Sequence, residues 1–318
     1  MRILLTGSSG WLGRFLAPRL RQDGHEVTGL DVAPGADTDI LGSVADRALI
    51  DRVFAERGIE AVIHSGALHK PDIVRYPRQA FIDVNVTGTL NLLEAAAAAG
   101  NDRFVFTSTT SLMVSEALNA GRVGRAAWMT EDYGPLEPRN VYGITKLAAE
   151  QLCRLAYREH ELPVAILRTG RFFPEDDDTH RDVEGPNRKA NEFLNRRLTV
   201  EDAAEAHVAA LERAPELGFG AFIVSAPPPF EEADCDELLG DAPAAILRRF
   251  PDAAEVFARV GWTLPDRIDR VYVPDAAEAR LGFRCRTGFA EVLDSLREGR
   301  PLPFVHDPYY VSPKEGVR

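Results

Sequence analysis

The chain has 318 residues, 45% of them hydrophobic and 27% charged, with a formal net charge of -12. That is a globular composition large enough for one or two packed units, with no apolar run near the roughly 20 residues of a membrane span. The acidic balance argues against a phosphate-neutralising nucleic-acid surface, and Cys153, Cys235 and Cys285 are too scattered for a disulfide framework or a metal site. The cysteines are therefore expected reduced and no metal is expected. The apolar stretch before Thr6 is too short for a secretory signal, so a cytoplasmic protein is expected.

In chain order, short apolar runs at 3–6, 26–31, 61–65, 104–108 and 164–169 alternate with amphipathic stretches, the grammar of a parallel sheet with crossover helices. Leu12, Phe15, Leu16 and Leu20 recur at helical spacing, although Pro18 in their midst predicts a kink or a local repair. Leu49, Val53 and Phe54 mark a second helix before Gly58. Segment 77–100, with Leu90, Leu93 and an alanine run closed by Gly100, predicts a long third helix. Residues 142–160 predict a fourth, whose Ala148, Ala149 and Ala156 permit close packing. Two such helices per subunit suit a homodimer interface or burial within one subunit. From Pro174 to about Arg197 the chain is polar and aperiodic, as in a loop or lid; a helix over 199–213, a strand over 221–225 and a break at Pro227 follow.

The turn Thr6-Gly7-Ser8-Ser9-Gly10-Trp11-Leu12-Gly13 joins the first strand to the first helix, the setting of a dinucleotide-binding loop. Gly7 permits the tight turn, Gly10 admits a pyrophosphate to the backbone, and Gly13 lets the helix approach the sheet, with Ser9, Trp11 and Leu12 contributing to the cradle. Asp31 ends the second strand, where a carboxylate accepts from ribose hydroxyls and repels a 2'-phosphate, favouring NAD over NADP; a turn-capping aspartate is the alternative. Asp39 and Ile40 are placed beside the adenine or on an exposed loop. The fold class expected is α/β, a Rossmann-type doubly wound parallel sheet with a smaller C-terminal substrate domain. Residues 1–169 form the NAD-binding unit, 198–226 return to it, and 170–197 with 227–318 supply the substrate-binding or lid domain.

Tyr142 and Lys146 stand at i and i+4, neighbours on one helix face. A positive charge beside a phenol favours the phenolate and makes Tyr142 usable as a general acid or base. With seven tyrosines and four lysines in the chain, chance supplies roughly a tenth of one such pair.

These residues resemble the extended short-chain dehydrogenase/reductases over most of 1–225, through the glycine turn, Asp31, Ile63-His64-Ser65-Gly66-Ala67, Asn85-Val86-Thr87-Gly88-Thr89, Phe104 to Thr109 and Tyr142-x-x-x-Lys146. The resemblance implies that Thr109 bonds the reacting oxygen, with Ser108, Thr110 and Ser111 as shifted-register alternatives, and that Lys146 also holds the nicotinamide ribose. It places Ser65, Gly66, Ala67, Asn85 and Ser108 along the cofactor and Thr110 and Arg171 toward the substrate. Asn85 reads equally as a helix N-cap, and His64 as a packed strand-end residue. The Asp-Glu pair of the family's dehydratases is replaced by Thr110 and Ser111, so dehydration is not expected. Arg171 stands near the place of the asparagine of the sugar-nucleotide epimerases. Arg168-Thr169-Gly170 followed by Phe173-Pro174-Glu175 is similar to uronate dehydrogenases of the same superfamily. The function expected is hydride transfer between NAD and a polar, carbohydrate-like secondary alcohol or ketone. The alternatives are sugar-nucleotide epimerisation and, third, a non-catalytic dinucleotide sensor, a role usually marked by loss of the tyrosine or lysine kept here.

Overall fold

A computed structural model describes residues 1–176 and 183–316. Its strands are β1 (Arg2–Thr6), β2 (Glu26–Asp31), β3 (Ile40–Leu41), β4 (Ala61–His64), β5 (Phe104–Thr109), β6 (Ala127–Met129), β7 (Val164–Thr169), β8 (Phe219–Val224) and β9 (Arg270–Tyr272). Seven form one sheet in the order β3-β2-β1-β4-β5-β7-β8, with every pairing parallel. The order reverses between β1 and β4, and a crevice opens at such a switch point beyond the carboxyl ends of the strands. The fold is the expected doubly wound one.

Strand alternation sorts the core into two layers. Ile3 and Leu5 face one side, with Leu16 and Leu20 of helix Gly13–Gln22 and Ala203 and Leu211 of helix Val200–Leu217. Leu4, Val62, Phe104 and Phe106 face the other, against helices Arg47–Arg57, Gly88–Ala98 and Val141–His160. Because helices cover both faces, the strands read as continuous apolar runs. Pro18 sits on the exposed side of its helix, where water can meet the carbonyl that its missing N–H leaves over. The predicted long helix over 77–100 is helical from Arg78 to Ala98, but Ile82–Thr87 at its centre is wound as a π-helix.

A third core, including Phe193, Leu194, Phe230, Leu238, Ile246, Phe257, Phe289 and Leu293, belongs to the later part of the chain, where β6 and β9 pair. Stretch 174–197 is not simply a loop. Helix Gly185–Glu192 begins with a proline in its first turn and buries Ala190, while Phe193 and Leu194 follow it into this core. Asp177 and Asp178 lie outside the described residues. Helix Asp275–Leu281 turns back, placing Ala277 and Leu281 in the core of the large sheet. Among the described residues no helix is long and apolar enough to cross a membrane.

Candidate active site

A cleft lies at the switch point. Gly7, Ser9, Gly10, Trp11 and Leu12 form one wall and Ser65, Gly66, Ala67, Leu68 and His69 another, with Asp31 at one end and Phe172 and Phe173 also lining it. Gly7 has φ +75°, and a Cβ there would come within 2.8 Å of the Gly66 nitrogen, so the two walls approach this closely only with glycine. Gly13 stands behind the turn, outside the lining; a Cβ on it would meet the Gly7 carbonyl oxygen at 2.3 Å. The Trp11 indole Nε1 is buried without a hydrogen-bond partner, an N–H that an oxygen of a bound nucleotide would satisfy. A narrow backbone cradle, a carboxylate at its end and an unsatisfied donor fit a dinucleotide.

The Asp31 carboxylate accepts from the Ser9 backbone N–H at 3.0 Å and the Ala33 N–H at 3.2 Å, so it braces the turn as well as facing the cleft. Asp39 and Ile40 do not reach the cleft. The Asp39 carboxylate accepts from the Gly29 N–H at 2.8 Å, and Ile40 pairs with Leu30 in the sheet. Gly42, Ser43 and Val44 line the cleft instead.

Three more of the expected residues support the site from behind. The Ser108 hydroxyl donates to Glu150 at 2.6 Å on the far side of β5, and alternation brings Thr107 to the cleft in its place. Asn85 is no N-cap. It lies inside the π-wound segment, where its amide both accepts from and donates to the backbone of Leu68 and donates to Thr145 of helix Val141–His160. It therefore ties the cleft wall to that helix. Thr110 donates to the Thr169 carbonyl.

His64 completes this bracing. The Gly66 N–H donates to Thr6 Oγ1, and that hydroxyl lies 2.7 Å from His64 Nδ1. His64 Nε2 lies 3.0 Å from Thr89 Oγ1, which donates to the Asn85 carbonyl. The chain closes consistently when the imidazole is neutral with its proton on Nε2. Burial, assisted by Lys146, pushes its pKa well down and favours that form.

Asn140 caps the helix Val141–His160 by accepting from Gly143, and the first turn of that helix carries the phenol. Thr109 stands close enough to the Tyr142 phenol to draw its pKa down, and the Tyr142 ring meets His69 edge-on at 5.9 Å. Thr109 Oγ1 accepts from Ser111 N–H at 3.1 Å, which fixes its rotamer. Lys146 is buried, its ammonium 3.9 Å from the centre of the Phe106 ring. Its charge does not lower the phenol's pKa as the spacing alone implies. Burial dominates, pushing Tyr142 up to about 12 against the pull of Thr109, and pushing Lys146 down to about 7. Neither side chain is part of the cleft lining, which reaches Tyr142 through His69.

Arg171 is not part of the cleft lining, and its side chain is partly exposed and partly engaged. Its Nε lies 3.5 Å from the buried Glu192 carboxylate, which Arg196 and Arg197 also hold at 2.9 and 2.8 Å. These cations keep Glu192 ionised, with a pKa of about 2, against the burial that would raise it. Leu68, His69, Thr107, Phe172, Phe173, Ser312 and Lys314 also line the cleft, and the sequence reading does not find them. Phe172 and Phe173 directly follow the end of a parallel strand, a position that points to the cleft. Ser312 and Lys314 carry no local signal.

A dinucleotide cradle at a switch point, with a tyrosine, threonine and lysine at the carboxyl edge, defines a nucleotide-dependent enzyme class. The chain belongs to the NAD dependent epimerase/dehydratase family, whose model matches residues 3–219. The UDP-glucose 4-epimerase of Bacillus subtilis is 34% identical over 185 residues, 53% of this chain and 52% of that protein. The L-arabinose 1-dehydrogenase (NAD(P)(+)) of Haloferax volcanii is 33% identical over 182 residues, 55% of this chain and 69% of that protein. The chain spans about half the length of the first curated relatives it matches. Among solved structures, a short-chain dehydrogenase/reductase superfamily protein from Agrobacterium tumefaciens with bound NAD matches with a TM-score of 0.66 and 25% identity, covering 94% of this chain and 98% of that one.

Proposed function

We propose that the chain is an NAD-dependent oxidoreductase that moves a hydride to or from a polar, carbohydrate-like secondary alcohol or ketone in the cytoplasm. The observation that carries this reading is the placing of Tyr142 beside Thr109 at the carboxyl edge, reached from the glycine-lined cleft through His69. Oxidised NAD, when bound, supplies the hydride acceptor and a positive ring that favours a phenolate. Tyr142 then takes the hydroxyl proton, Thr109 steadies the developing carbonyl oxygen, and Lys146 holds the nicotinamide ribose. The three free cysteines are buried and suit a reducing compartment.

Net redox chemistry is favoured over epimerisation because Arg171 pairs with Glu192 where the epimerases use an asparagine. The 34% identity to an epimerase supports the second reading. Incubation with NAD and a panel of free sugars, sugar acids and sugar nucleotides separates the two. The proposal expects NADH in proportion to substrate consumed, whereas epimeric product without net NADH would overturn it.

Asp31 favours NAD, since a 2'-phosphate would meet like charge. Asp31→Ala should narrow the preference for NADH over NADPH by at least about 10-fold in fluorescence titration. Tighter NADPH binding by the parent chain would refute this role.

A homodimer is part of the proposal. Ile82 and Leu90, eight residues apart, and Ile144 and Leu155 on the neighbouring helix, are exposed apolar side chains on the two helices suited to a self-complementary interface. Leu90→Glu with Ile144→Glu should convert a dimer to a monomer in light scattering. A parent chain that is monomeric at micromolar concentration would remove the dimer.

A further inference from the structure

The C-terminal segment crosses the mouth of the cleft and touches structures on both of its walls. Asp307 N–H donates to the Pro174 carbonyl at 2.9 Å, and Tyr310 packs edge-on against Trp11 of the glycine turn, ring centres 5.2 Å apart. Four residues later the chain reaches the opposite wall. The Lys314 ammonium lies 2.6 Å from Asp72 Oδ2, donates to the Ala67 carbonyl at 3.0 Å, and sits 3.4 Å from His69 Nδ1. Glu315 adds an ion pair with Arg75 at 2.8 Å. Ser312 and Lys314 themselves line the cleft.

Asp72 is only 2% exposed, and its carboxylate also accepts from the His69 backbone N–H. A buried carboxylate of this kind needs a cation, and the nearest one comes from more than two hundred residues away along the chain. The segment lies beyond residues 3–219, where the family model ends.

We propose that segment 306–316 is the outer wall of the dinucleotide site and that Lys314 is its anchoring residue, holding bound nucleotide in place and limiting its exchange. The inference rests on the nucleotide reading of the cleft. Ligand caught between the glycine turn and this segment can leave only when Lys314 separates from Asp72 and Ala67 or Tyr310 separates from Trp11. Because binding and closure are linked, bound nucleotide in turn holds the segment down.

NADH release is measured by stopped-flow displacement from the full chain, from Lys314→Met, and from the double variant Asp72→Asn with Lys314→Met. NADH should leave Lys314→Met at least about 10-fold faster than the parent. The double variant carries no unpaired buried carboxylate, so it should regain thermal stability while keeping the fast release. Hydrogen exchange in 306–316 of the parent should slow on saturation with NADH. Release from Lys314→Met within two-fold of the parent would overturn the proposal, as would restored slow release in the double variant, which would trace the effect to the stranded Asp72 charge. A parent chain that binds neither NADH nor NADPH would defeat the nucleotide reading itself, and the anchoring role with it.

Discussion

Tyr142→Phe should lower turnover by about 100-fold or more while leaving NADH affinity near that of the parent, because the substitution removes one proton-carrying hydroxyl and no packing surface. The phenol is buried beside Thr109 and flanked by the His69 ring, so no bulk water stands ready to replace it. The charged group acting on it is Asp72, whose charge opposes the phenolate and which is itself paired to Lys314. Since burial pushes the phenol up to about 12, activity in the oxidising direction should rise with pH across the neutral range, the phenolate being the base. Steady-state rates with the substrate identified by the sugar panel, together with NADH titration, provide the check. Retention of most activity by Tyr142→Phe would remove the tyrosine from proton transfer.

The second large effect concerns stability. Arg168→Leu should cost about 3–5 kcal/mol in denaturant unfolding, because it strands a buried carboxylate. Arg168 Nη2 meets Glu150 at 2.8 Å and its Nε meets the same carboxylate at 3.1 Å, with side chains 8% and 3% exposed. The Ser108 hydroxyl completes the shell of Glu150, and Arg168 Nη1 reaches the Glu131 carbonyl. This pair joins β7 to the catalytic helix directly behind Thr109, so its loss should also loosen the site. Replacing both partners, Glu150→Leu with Arg168→Leu, should recover a large part of the loss, since an apolar pair carries no desolvation penalty. A loss below about 1 kcal/mol for the single variant would mean that water reaches the pair.

The strands of the large sheet were legible because parallel strands covered on both faces are short apolar runs, and five such runs stand between glycine-marked helices. Gly7, Gly10, Asp31, Tyr142 and Lys146 could be named from local spacing: a tight turn after a strand, a carboxylate at a strand end, an i, i+4 pair. Side-chain direction at strand ends was less accessible. A shift of one residue exchanges faces, which is why Thr107 rather than Ser108 lines the cleft. The π-wound turn at Ile82–Thr87 leaves no periodic trace, and it carries Asn85, whose amide holds Leu68 and Thr145.

The sequence by itself marked the strands, the glycine turn and the tyrosine-lysine spacing, because each is a pattern among residues close in the chain, whereas the order in which the strands pair joins residues about 60 apart. Tertiary structure alone decided what the charges do. Burial sets the protonation of Tyr142 and Lys146 more strongly than their mutual spacing, and Arg171 is drawn to Glu192 by a helix formed within a stretch that reads as loop. Lys314 reaches the cleft only because the last described residues fold back across it to a carboxylate near position 70, a pairing of distant residues that no local pattern encodes.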